Sequence, residues 1–324
     1  MANVKRIGAS ALILGWLASP AFALNARTWV SGAGVDQASC GTIASPCRTL
    51  QYAHDQTAAS GEINFKDAAG YGSVIISKAI SIINDGAGVA GVLAPANGNA
   101  ILIVAGASGD VVLKGLTIEG SGTGNYGVLH TIGRNLTIVD CYISGFKAAG
   151  IFLNASGTTA TTVASTRLFG NEVGLSFRPP AGQGTSTIEV RDVTASFNQN
   201  GLSFISELFA VNVGISNTVV SNNYNSGITI SRVSGFMTTI LDGVVLNSNN
   251  LLGISSGNLG GFGLYHYSGT TSANDKLYIG RSTIMGNNYG TFCINPATAF
   301  SFGNNQIVGN NLDNHCTLTP VVLK

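Results

Sequence analysis

The sequence predicts an all-β fold, a parallel β-helix solenoid of about ten three-strand rungs stacked ~4.8 Å apart. Three observations carry this prediction. Apolar residues recur at a near-constant step in the column Ile118, Ile143, Leu168, Ala195, Val220, Leu246, Ile284 and Ile307, with steps of 25, 25, 27, 25, 26, 38 and 23. A second column runs five residues earlier through Leu113, Ile138, Val163, Val190, Ile215, Leu241, Ile279 and Phe302. A third follows a glycine: Val128, Ile151, Leu175, Leu202, Ile228 and Ile254. Self-similarity at a fixed period marks stacked repeats, each burying its apolar face against its neighbours. Within a repeat the apolar residues alternate, as in Leu136-Thr137-Ile138, which is the period of a strand with one face in. The Leu-x-x-Leu-x-Leu-x-x-Asn pattern of leucine-rich repeats is absent.

The chain divides into three parts. Residues 1–23 read as a signal peptide: Lys5 and Arg6, an apolar run from Ile7 to Leu17, then Ala21-Phe22-Ala23 as the cleavage site. Residues 24–62 carry an N-terminal strand and the one helix expected, Cys47–Ala59, which caps the open end of the rod. His54 and Asp55 on it are expected at the surface. Residues 63–324 form the β-helix and its C-terminal cap, a rod of about 45–50 Å. Asn171, Asn198, Asn222-Asn223, Asn249-Asn250, Asn287-Asn288 and Asn310-Asn311 mark turns. Stacked Asn side chains bond from rung to rung, so these ladders are expected outside the rod or at its corners.

Composition excludes several functions. Without the signal the chain has 14 basic and 15 acidic residues, so nothing draws it to nucleic acid or to an anionic membrane. No further stretch is long and apolar enough to insert in a bilayer. Of five cysteines, Cys40 and Cys47 enclose a short loop and are expected to form a disulfide after export, to a secreted or periplasmic location. Cys293 and Cys316 are a second candidate pair. Cys141 falls in a strand column with Leu116, Thr166 and Val193, as a buried thiol would.

The segments Trp29-Val30-Ser31-Gly32, Cys40-Gly41-Thr42, Ser45-Pro46-Cys47-Arg48-Thr49-Leu50-Gln51 and Gly61-Glu62-Ile63 resemble the opening of secreted bacterial proteins of the pectate-lyase-like superfamily. The resemblance covers nearly all of the mature chain and implies a right-handed β-helix. It also implies a polysaccharide partner, because enzymes of the superfamily mostly cleave acidic polysaccharides. Their lyases use an Arg or Lys base and commonly Ca²⁺; no other cofactor is implied. The specific motifs are missing here. Arg-x-Pro-x-x-Arg is echoed by Arg178-Pro179-Pro180-Ala181-Gly182-Gln183, where Gln replaces the second Arg. Asp-Asp, Asn-Thr-Asp and Arg-Ile-Lys, the marks of the pectin hydrolases, do not occur.

The remaining candidates are few. Asp140 and Asp192 share a turn column with Ser165 and Asn217, and Asp242 lies one residue out of register. Two aspartates two rungs apart stand about 10 Å from each other, too far to share an ion. The step of 38 places about a dozen extra residues within Gly257–Asp275, expected as a loop on a binding face. Tyr265, His266 and Tyr267 in that segment are candidate proton carriers or a platform for sugar rings, or else aromatics packing the loop down. Arg178 is a further catalytic candidate, and Arg281 joins Tyr265 and Tyr267 as a substrate-binding candidate. His130 is expected to face inward. The functional expectation is recognition, with or without modification, of an extracellular or envelope polysaccharide. The alternative is a non-catalytic structural or adhesin-like rod.

Overall fold

The computed structural model describes residues 24–180, 182, 184–207, 210–250, 260–269, 275–295, 297 and 299–322. The signal-peptide segment and Gln183 lie outside them. Three parallel sheets of twelve, ten and ten strands run the length of a solenoid. Sheet 1 contains Asn135–Val139, sheet 2 Tyr142–Ser144 and sheet 3 Ala149–Leu153, and the chain visits the three in that order on every rung. About eight turns are regular. The first and last are abbreviated, with two-residue strands Ala69–Gly70 and Gln306–Ile307 in sheet 2, so full rungs number slightly fewer than ten.

The apolar columns stack in register. Ile143 pairs with Ile118 and Leu168, Ile138 with Leu113 and Val163, and Ile151 with Val128 and Leu175. All of these are buried, forming one continuous core. Two assignments shift. Ile279 faces Ser301 rather than Phe302, whose ring instead stacks on Tyr278. The residue opposite Ile228 is Leu264, and Ile254 lies outside the described residues. In both cases a connection of irregular length precedes the strand, and main-chain pairing rather than spacing sets the register.

The corner between sheets 2 and 3 is locked by a ladder of Asn171, Asn198, Asn223, Asn249, Asn287 and Asn310. The first five are buried at the corner and not outside the rod. Asn198 shows the pattern. Its Oδ1 accepts from the Asn171 main-chain N–H and from Asn171 Nδ2; its Nδ2 donates to the Leu168 carbonyl and to Asn223 Oδ1. Every donor and acceptor of the amide is thus used, which is what allows it to be buried. The glycines before Ile151, Leu175, Leu202 and Ile228 give the ladder room. A Cβ at Gly201 would stand 2.5 Å from the Gly227 carbonyl oxygen.

The N-terminal end is capped as expected, by a shorter helix. It spans Leu50–Gln56, with Thr49 as N-cap, and buries Leu50, Ala53 and His54. The helix stops because Thr57 begins the sheet 1 strand Thr57–Phe65 and its hydroxyl bonds the Ala53 carbonyl. The strand Asn25–Val30 covers the outer edge of that strand. His54 is therefore buried, contrary to its expected exposure, accepting from the Ser77 N–H, while Asp55 stays exposed. Both expected disulfides are present, Cys40–Cys47 beside the cap and Cys293–Cys316 near the other end. Cys141 is buried, and burial pushes its thiol up to about 12, leaving it inert.

Two outcomes follow for stability. Asn198→Ala removes the side-chain partner of the Asn171 main-chain N–H and of the Leu168 carbonyl and one bond from each neighbouring amide, and should cost about 2–4 kcal/mol in urea unfolding. Thr187→Ala, on the outward face of sheet 1, should change it by less than about 0.5 kcal/mol. His130 is buried and its Nε2 has no partner; burial lowers its pKa from 6.5 to about 4. Because the folded value lies below the unfolded one, its contribution is complete above pH 6.5 and is lost as pH falls towards 4. The loss is on the order of 3 kcal/mol. His54 is shifted the same way by burial. Melting temperatures measured across this window should fall with pH, and His130→Leu should flatten part of the fall.

Candidate functional site

The sequence-level candidates are held on different faces of the rod. Tyr265, His266 and Tyr267 belong to the sheet 3 strand Phe262–Ser268, not to a loop. Alternation along that strand sends His266 into the core and leaves the two tyrosines partly exposed. His266 Nε2 lies 3.0 Å from Asp275 Oδ2, and Arg232 Nε lies 3.7 Å from the same oxygen. The Arg232 guanidinium also donates to Ser268 Oγ and to the Gly235 carbonyl. All three charged or titratable groups are sealed inside the rod, so they brace the core and do not meet a polymer outside it. Burial, then the neighbouring Tyr267, raises the Tyr265 phenol pKa. The extra residues lie in two connections. Fourteen residues join Asn247 to Phe262 where four join Ser221 to Ser226, and six join Ser268 to Asp275 where three join Arg232 to Phe236. Much of both lies outside the described residues.

Arg178 follows the sheet 3 strand Val173–Phe177 and pairs with Glu207 at 3.2 Å. Arg281 sits at the corner between sheets 1 and 2, with its Nε 2.7 Å from Asp242 Oδ1. That guanidinium holds the Asp242 carboxyl below the usual carboxylate range. Asp140 and Asp192 are exposed turn residues at positive φ, and Asp192 lies 3.7 Å from Arg191. Among the described residues, no three His, Cys, Asp or Glu side chains gather where they could hold a metal ion. The donor set of these turns does not fit a Ca²⁺ site.

A different place brings side chains together. At the corner between sheets 2 and 3, an open groove of about 400 Å³ crosses several rungs. Gly122, Gly145 and Gly170 border it beside Phe146, Lys147, Glu172, Phe197, Gln199 and Tyr224. Aromatic rings follow one another along this side. Tyr142 stacks on Phe169 with centroids 6.5 Å apart, and Phe169 meets Phe197 at 5.3 Å. Phe169, Phe197 and Tyr224 remain 37%, 42% and 38% exposed. Water-facing rings on successive rungs make a row of apolar faces beside polar groups, the composition of a ligand site.

Phe197 is the unusual member. The equivalent positions on neighbouring rungs are Gly145, Gly170, Asn222, Ser248 and Gly286, all at positive φ. Phe197 adopts φ 57° in this column of small turn residues. Left-handed backbone costs a residue with a bulky side chain roughly 1–2 kcal/mol. The ring is not repaid by full burial, so fold stability does not account for it.

No protein-family model matches the chain, and no curated protein matches it in sequence. Among solved structures it is similar to the crystal structure of pectate lyase Pel9A, with a TM-score of 0.55 and 12% sequence identity, over 92% of this chain and 78% of that one. The protein therefore has a pectate-lyase-like parallel β-helix fold. At that identity the likeness shows the fold and not the activity.

Exchange of Phe197 for the residue its column prefers tests the strain. Phe197→Asn should raise unfolding stability by up to about 1 kcal/mol, read from the denaturant midpoint. A loss of stability would show that Phe197 packs the fold.

Proposed function

We propose that this protein is exported and binds an extracellular polysaccharide in the groove at the corner between sheets 2 and 3. The observation that carries the reading is Phe197, a strained and exposed ring in a column otherwise built of Gly, Asn and Ser. Strain kept at an exposed position points to a ligand. The C–H faces of sugar rings stack on aromatic rings, and Lys147, Glu172 and Gln199 supply polar partners for hydroxyls. The β-helix fold shared with a pectate lyase and the two disulfides, which persist in oxidising compartments, support the same reading.

The arrangement favours binding over cleavage. Glycoside hydrolysis commonly needs two carboxyl groups across the scissile bond, and Glu172 is the one carboxylate among the residues lining the groove. Arg178, Tyr265 and His266, the sequence-level candidates for proton transfer, lie elsewhere. The protein should be retarded in affinity electrophoresis through gels that contain a polysaccharide. Phe197→Asn and Tyr224→Ala should each weaken that retardation about tenfold, a loss of ~1.4 kcal/mol. Incubation should release neither reducing ends nor unsaturated products. Equal retardation of the variants would move the site away from this groove, and released product would make the protein an enzyme.

A further inference from the structure

The charges around the groove distinguish between classes of glycan. Lys147 and Glu172 line it. On the adjoining outer face of sheet 2, Glu119 lies beside Ser144 and Arg167 beside Tyr142. Two cations thus stand against two carboxylates. The Lys147 ammonium donates to Asn97 Oδ1, and the Arg167 guanidinium lies 5.9 Å from the Tyr142 ring centroid. Recognition of a polyanion calls for an excess of Arg and Lys over carboxylates, which this surface, with two of each, lacks.

The groove's shape adds a direction. Gly145 and Gly170 leave its corner without side chains, and a Cβ built at Gly170 would meet nothing within 4 Å. One rung further on, Phe197 stands in the same column. A trough open over the glycines and closed by a ring runs along the rod axis, crossing rungs ~4.8 Å apart. Phe197 and Tyr224 line this trough, and the Phe169 ring stands beside it, 5.3 Å from the Phe197 ring.

We infer that the groove takes a neutral polysaccharide, lying along the rod axis with its sugar rings against Phe169, Phe197 and Tyr224, and not a uronate polymer. This rests on the glycan-binding reading above and narrows it. The test is affinity electrophoresis with a neutral glucan, mannan and xylan against polygalacturonate, at low and high salt. A neutral polymer should be retained, its affinity changing less than about twofold with salt, because stacking and hydroxyl contacts are not screened. Gly170→Asn suits the positive φ of this column, where Asn222 already stands, and projects a side chain into the trough. It should weaken binding at least tenfold with the melting temperature unchanged. Tighter binding of polygalacturonate, falling steeply with salt, would overturn the neutral class while leaving the glycan site intact. Unchanged affinity in Gly170→Asn would overturn the axial placement. Retention by none of the four polymers would overturn both readings.

Discussion

Everything in this molecule depends on each strand pairing in register with its own equivalent one rung away. Parallel pairing of equivalent positions turns a one-dimensional repeat into continuous columns, so a residue's environment is set by its neighbours above and below. Ile143 is buried because Ile118 and Leu168 are its lateral partners. The same rule places a buried amide under each amide in the Asn ladder. Without that alignment the ladder would be a set of unsatisfied polar groups in the core.

The constraint also limits where function can reside. Positions facing inward are committed to packing, as His266 shows: its strand neighbours face out, and it is enclosed with Asp275 and Arg232. Positions in the turn columns are committed to positive φ, which selects Gly, Asn, Asp and Ser, with Arg281, held by Asp242, and Phe197 as the large exceptions. A departure from either rule at an exposed position carries information. Phe197 departs from the second, and it does so beside Phe169 and Tyr224, which are themselves exposed. On the proposed reading, stability and recognition are opposed at this residue, since the small side chains that suit its backbone offer no surface to a sugar ring.

Much of the fold was legible because the period of burial is also the period of the sequence. The three apolar columns, the capping helix, the disulfide pairs and the inward His130 all follow from spacing and residue type. The site was less so. Tyr265-His266-Tyr267 attracted attention as a rare cluster, yet a strand sends adjacent residues to opposite sides. Arg178, a catalytic candidate, and Arg281, a substrate-binding candidate, pair with Glu207 and Asp242, partners that sequence spacing does not reveal. The signal at Phe197 was present in the sequence, two residues after Ala195, where Gly145, Gly170, Asn222 and Ser248 stand after their own column members. Its meaning required knowing that this column lies in left-handed backbone at an exposed corner.

The sequence by itself determined the solenoid, its repeat length and the identity of its interior, because hydrophobic periodicity and main-chain pairing are properties of the linear order. Only the tertiary structure decided which side chains meet. Five of the ladder Asn amides are buried at a corner, His54 and His266 are enclosed, and Phe197 and Tyr224 border one groove, with Phe169 and Tyr142 in ring contact beside it. Contacts between rungs join residues about 25 positions apart, and whether such a contact points inward, outward or along a corner depends on the backbone angle at the turns.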